Sequence, residues 1–185
     1  MEDSNQPLTK QDWLEAARIA LAQQGVKGVK VEVLARHLGV SKGSFYWHFK
    51  NRDALLQDLL AYWAQSTDLL IEQASGKVTP KAQLEHLFTA INKLGVTGED
   101  AIHTWAKHDT TVAQHLRAVE AKRLDFLTSL FRQQGFSSVE AQERAEICYL
   151  TFLGYVFKTG QDTPSLSQLD ELGSKITALL MHKES

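Results

Sequence analysis

Apolar residues return every three or four positions along nearly the whole chain, and capping signals divide the pattern into separate helices. Thr9 with Asp12 reads as a capping box, and Leu8 against Trp13 as the accompanying hydrophobic staple. Trp13, Leu14, Ala16, Ala17, Ala20 and Leu21 then form one stripe, closed by Gly25. A second stripe, Val33, Leu34, Ala35 and Leu38, ends at Gly39. Ser41 is placed to cap a very short third helix, with Val40 stapled to Phe45 and with Phe45 and Phe49 inward. Asn51 caps a long fourth helix that turns Leu55, Leu56, Leu59, Leu60, Trp63, Leu70 and Ile71 inward, runs to about Ala74 and breaks at Ser75-Gly76.

The chain restarts at Thr79-Pro80, a cap followed by proline at the first helical position, and carries Leu84, Leu87, Phe88 and Ile91 toward an end near Gly95. Thr97 with Asp100 starts a short helix holding Ile102 and Trp105. Asp109 or Thr110 starts a long helix that reaches about Gln134 and is closed by Gly135. Ser137 with Glu140 opens the next, which ends near Gly160, and Ser165 with Gln168 opens the last, with Leu166, Leu169, Leu172, Ile176, Leu179 and Leu180. The pattern predicts an all-α chain of about nine helices. From Ala145 to Phe157 the helix is apolar nearly all round, so it needs cover on more than one side. That cover is either the centre of a monomer or a second copy of the chain. The second reading places Leu150, Leu153, Gly154 and Phe157, with Leu172 and Ile176 of the last helix, in a dimer interface.

The segment "LGVSKGSFYWHFKNRDA", Leu38 to Ala54, changes the picture from fold to function. Helix, three-residue turn, helix is the helix-turn-helix arrangement. With Phe45 and Phe49 inward, Tyr46, Trp47 and His48 are left on the other faces, and Gly43 lets the backbone come close to a sugar-phosphate wall. Such a helix is poor core material and suits a DNA groove. The overall charge of −2 hides an asymmetry. Between Lys27 and Arg52, six basic residues stand against Glu32 alone, which leaves +5 there and −7 on the rest. A basic tip on an acidic body directs DNA to one end.

With "YWHFKNRDALL" added, this segment resembles the DNA-binding head of the TetR family of transcriptional regulators. The resemblance covers about the first third of the chain. It implies a three-helix head for operator DNA, here residues 1–50, and a ligand-binding and dimerisation body, residues 51–185, that dimerises through its last two long helices. Lys42, Gly43 and Tyr46 would then face bases, while Ser44, Trp47, His48, Arg52 and Lys50 would meet phosphates. Two departures stand out. Lys30 or Val31 occupies a position where the family usually has a capping threonine, and Glu32 stands where the family's namesake carries a base-reading arginine. A carboxylate there repels phosphate or accepts from a cytosine amine.

A body of helices offers an apolar pocket with a few polar groups. His103, Trp105, His108, Arg123, Phe126, Tyr149 and Tyr155 are its candidate lining. Arg123 falls inside the stripe Val112, Leu116, Val119, Phe126, Leu127 and Leu130, so its guanidinium needs a carboxylate. Asp109, Glu120 or Glu146 would make a structural ion pair; an acidic ligand is the other reading. His103 and His108 are five apart and do not share a helix face, so no metal is expected, and no cofactor or enzyme motif is present. Cys148 is the sole cysteine, "MEDSNQPLTK" is unlike a signal peptide, and no stretch reaches the roughly 18 apolar residues of a membrane span, which together suit the cytoplasm. The sequence therefore points to a homodimeric regulator of double-stranded DNA with a near-palindromic operator, most simply a repressor released by a small molecule. The rivals are a helical small-molecule-binding bundle, and an activator or effector-independent regulator built on the same head.

Overall fold

Helix starts and stops lie where local chemistry puts them. The computed structural model describes residues 8–94, 98–159 and 166–182. Among these residues there are nine α-helices and no strand: α1 Lys10–Gln24, α2 Val31–His37, α3 Lys42–Tyr46, α4 Arg52–Ser75, α5 Pro80–Leu94, α6 Glu99–Ala106, α7 Thr110–Gln133, α8 Ser138–Thr159 and α9 Leu166–Met181. The Thr9 capping box is complete, with the Asp12 amide donating to Thr9 Oγ1 at 3.3 Å and the Thr9 amide to Asp12 Oδ2 at 2.7 Å. Asn51 accepts from the Ala54 amide at 2.9 Å, and Ser137 and Glu140 cap each other. Asp109, rather than Thr110, caps α7 by accepting from the amides of Thr111 and Val112. Gly39 closes α2 with φ 70°, a left-handed turn that a side chain would strain.

One cap differs from expectation. The Ser41 side chain makes no capping bond to α3, and its backbone carbonyl instead accepts from the Ser44 amide at 3.1 Å. A five-residue helix has little else to hold it, so α3 is positioned by packing rather than by its cap. Thr97, Ser165, Gly95 and Gly160 lie outside the described residues.

Two cores hold the helices. The first gathers Trp13, Leu21, Val29, Leu34, Phe45 and Phe49 with Leu55, Leu56, Leu59 and Leu60 of α4, and adds Ala101 and Ile102 of α6 and Val112 and Leu116 of α7. The head's core thus runs past residue 50 into the body. The second joins α5, α7, α8 and α9 around Phe88, Leu130, Phe131, Phe136 and Phe152. Here α9 comes close to α5: a Cβ on Gly173 would stand 2.6 Å from Cβ of Phe88.

Candidate nucleic-acid interface and body cavity

Phe45 is the anchor of α3. Its ring is fully buried, edge-on to Trp13 and stacked on Phe49, each with centroids 5.3 Å apart. Burying this one face of a single-turn helix forces the adjacent positions outward. Trp47 is 89% exposed and Tyr46 61%. Lys42, Gly43 and Lys50 are exposed, and Ser44 and His48 are half-buried beside them. A Cβ on Gly43 would meet only the Ser41 hydroxyl, at 3.4 Å, so nothing else in the chain requires glycine there.

Two charged residues of this end have partners that sequence reading did not supply. Lys42 Nζ donates to Glu32 Oε1 at 2.7 Å, across the starts of α2 and α3. That bond, with the charge of Lys42, holds the Glu32 carboxyl below its ordinary value. Arg52, placed at phosphate by the resemblance, turns inward in this structure. Its Nε donates to the Val29 carbonyl at 2.6 Å and its Nη2 to the Val26 carbonyl at 2.5 Å. The α1–α2 connection presents both carbonyls to the start of α4, and a guanidinium satisfies them. Arg52 therefore clips α4 to the connection between α1 and α2.

Beneath the head lies a cavity of about 350 Å³, walled by α1 and by α4 to α8. Of the seven expected lining residues, Arg123, Phe126 and Tyr149 reach it. His103, Trp105, His108 and Tyr155 do not. On α6, Glu99 and Ile102 face the cavity, which turns the rest of that short helix elsewhere. His103 sits edge-on to Phe157 at 5.4 Å, Trp105 packs on the first core, and His108 is exposed just past the helix. Tyr155 packs against the second core.

The partner of Arg123 is Glu99, not Asp109, Glu120 or Glu146. Arg123 Nη1 donates to Glu99 Oε1 and Nη2 to Oε2, while Nε and Nη2 also reach Thr67 Oγ1 at 3.2 and 3.1 Å. Trp63 Nε1 donates to the same carboxylate at 2.9 Å. The other carboxylates are engaged elsewhere: Asp109 caps α7, and Glu120 accepts from Tyr149 Oη at 3.3 Å. Glu99 is only 6% exposed. Burial by itself would raise its pKa, but Arg123, His103 and Trp63 outweigh burial and bring it to about 2. Burial likewise opposes the charge of Arg123, and Glu99 more than restores it. Thr67, Glu99 and Trp63 are site residues that sequence reading missed. The traces they left were the inward stripe of the fourth helix, which includes Trp63, and an acid in the first turn of a short helix.

The geometry of α2, the turn and α3 agrees with a known family. Residues 14–59 match the model of bacterial regulatory proteins, tetR family. In this head the chain is similar to the TetR family of bacterial regulatory proteins. Over 96 residues, 52% of this chain, it is 30% identical to the HTH-type transcriptional regulator TtgW of Pseudomonas putida, and the match spans 64% of that relative. Among solved structures, a TetR-family regulator from Streptomyces coelicolor aligns with TM-score 0.76 at 15% identity, over 93% of each chain. The regulator FadR from Bacillus subtilis, in complex with stearoyl-CoA, aligns with TM-score 0.65 at 18% identity, over 96% of this chain and all of that one. At these identities the structures establish the shared TetR-family fold.

Away from the head, α8 turns Cys148, Tyr149, Phe152 and Val156 into the second core and leaves Ile147, Leu150 and Phe157 exposed. Leu150 is 63% exposed, and a Cβ on Gly154 would meet nothing within 4 Å. Leu153, Leu172 and Ile176 are half-buried against the protomer's own core. Burial pushes the Cys148 thiol up to about 12, so it stays a protonated apolar filler. No helix among the described residues is long and apolar enough to cross a membrane.

Proposed function

We propose that this chain is a homodimeric, sequence-specific DNA-binding transcriptional regulator, a repressor released when a small molecule fills the cavity. The observation that carries this reading is α3 itself. A one-turn helix anchored by Phe45 leaves Tyr46 and the adjoining Trp47 mostly in solvent, a pair of large aromatics that the protomer's own packing leaves uncovered. Residues 1–50 serve as the reader of double-stranded DNA, and 51–185 as the ligand-binding and dimerisation body, in a protein of the cytoplasm. Lys42, Gly43 and Tyr46 meet bases; Ser44, Trp47, His48 and Lys50 meet phosphates. Arg52 acts first by holding α4 in place, and its remaining donors are what it can offer to DNA. The effector enters beside Arg123, Phe126 and Tyr149. The liganded FadR of Bacillus subtilis and a regulator from Saccharomonospora viridis in complex with choline share this fold, which supports a body that takes small molecules.

The exposed apolar strip of α8 supports dimerisation. Ile147, Leu150 and Phe157, with Leu179 of α9, are side chains that a second copy would cover. Gly154 lies in this strip with open space before it. A two-fold dimer matches a near-palindromic operator, with half-sites one helical turn of roughly 34–36 Å, or a multiple, apart. The test is selection from random duplexes with the purified chain. Enrichment of an inverted repeat supports the reading, and enrichment of no sequence above background removes it.

A further inference from the structure

The cavity holds four ionised side chains among its described lining, and they are two internal pairs. On one wall Arg18 grips Glu15 through two bonds, Nε to Oε2 at 2.9 Å and Nη2 to Oε1 at 2.6 Å. On the other, Arg123 holds Glu99 through both carboxylate oxygens. Thr67 and the Trp63 indole take up further hydrogen-bonding positions of that second pair. The rest of the wall is mostly aliphatic and aromatic, with Ile102, Phe126 and Phe152 facing the space.

We infer that the cavity selects an uncharged, largely apolar ligand and discriminates against anions and cations alike. This rests on the body being a ligand-binding module. The reason is charge balance. An anion that approached Arg123 would lie against the Glu99 carboxylate as well, and would have to displace it from bonds that a buried carboxylate cannot replace from water. A cation approaching Glu99 would meet Arg123 in the same way. An uncharged body leaves both pairs intact, gains from the apolar walls, and can still accept a hydrogen bond from the Thr67 hydroxyl. The size agrees, since about 350 Å³ lies at the small end of the roughly 300–1,000 Å³ typical of small-molecule sites.

Two dyes with one ring skeleton test this. N-phenyl-1-naphthylamine is uncharged, and 8-anilinonaphthalene-1-sulfonate adds a sulfonate to the same rings. Each is titrated by fluorescence against the full chain and against Ser66→Trp, whose indole would fill the cavity, with helicity checked by circular dichroism. Signal that survives in Ser66→Trp is binding elsewhere and is subtracted. The naphthylamine should bind the cavity at least tenfold more tightly than the sulfonate. Glu99→Gln leaves Arg123 unbalanced, and should shift that ratio toward the sulfonate by tenfold or more. Glu99→Gln with Arg123→Gln restores neutrality and should restore the wild-type preference. Equal or tighter cavity binding of the sulfonate by the unmutated chain overturns the charge rule while leaving the ligand-binding reading in place. That comparison needs no variant of the ion pair to fold. Binding of both dyes that Ser66→Trp leaves unchanged, or failure of the naphthylamine to bind, overturns the inference together with the cavity's role.

Discussion

At the scale of single residues, Arg52 and Glu32 carry different duties from those their positions suggest. Arg52 supports the head from inside, so Arg52→Ala should lower the free energy of unfolding. Hydrogen bonds to a charged group contribute about 1.5–3 kcal/mol each, and two are lost, although their effects need not add. Urea unfolding measures this, with exposed Lys50→Ala as the control expected within about 0.5 kcal/mol of wild type. A loss of DNA affinity in Arg52→Ala without a loss of stability would return the residue to the phosphate. Glu32 works on the surface. Its bond to Lys42 restrains the lysine proposed to face bases, and in the proposed complex it would set a negative charge near phosphates. Glu32→Gln should therefore raise affinity for DNA of any sequence and narrow the gap between operator and random duplex. Lys42→Ala should relax base preference, since a good base contact is worth about 1–3 kcal/mol of discrimination. Binding isotherms on operator and scrambled duplexes separate the two effects, and a Glu32→Gln protein with unchanged affinity for both would show the bridge to be idle.

At the scale of elements, the buried pair ties α4, α6 and α7 together through Trp63, Thr67, Glu99 and Arg123. Breaking such a pair from one side typically costs about 3–5 kcal/mol, because the other charge is left buried. Arg123→Met should cost that much at neutral pH. The folded Glu99 carboxyl lies near 2, against an ordinary value of 4.5. A depressed carboxyl adds stability that is fully present above the unfolded value and is lost as pH falls through the folded one. The window is thus pH 4.5 down to 2. Glu15, Glu32, Asp12 and Glu171 are also held low, so the acid slope is not that of Glu99 alone. The difference in slope between wild type and Glu99→Gln, read from denaturation at a series of pH values, isolates it, and equal slopes would remove the claim. The apolar strip of α8 belongs to this scale as well. Leu150→Lys should leave the protomer's stability within about 0.5 kcal/mol, since the side chain is exposed there. It should break the dimer, which sedimentation would show as a monomer with much weaker operator binding. A dimer that survives Leu150→Lys would place the interface elsewhere.

At the scale of the whole molecule, the cavity lies where a ligand would press on both ends. Leu21 of α1 and Leu59 of α4 belong to the first core and also line the cavity, and Arg18 brings the same wall into the head. A ligand there can move the DNA-reading end only through a difference in affinity between the two arrangements. Coupling of this kind is about 1–3 kcal/mol, or a 5- to 150-fold change. Any compound that occupies the cavity and weakens operator binding should itself be weakened by operator DNA by the same factor. Titrations in both orders measure this, and a stabilising cavity ligand that leaves DNA affinity unchanged would reduce the body to a dimerisation module.

The sequence by itself determined the helices, most of the described caps and the reading head. Caps such as Thr9–Asp12, Asn51–Ala54 and Ser137–Glu140 join residues no more than four apart, so the bond is written in the local order. The Phe45–Phe49 spacing dictates which side of α3 is buried, and so which aromatics are left outside. Tertiary structure decided the partners. Arg123 could be seen to need a carboxylate, but Glu99 lies 24 residues away, and which acid meets it depends on how α6 crosses α7. Arg52 reaches carbonyls 23 and 26 residues back, groups every residue possesses and no side-chain pattern marks. His103, Trp105, His108 and Tyr155 had suitable chemistry and a suitable region, yet the rotation of short α6 and of α8 turned them away from the cavity. Helical periodicity states that a face is buried. What it is buried against is set by packing among elements distant in sequence, and the cavity exists only there.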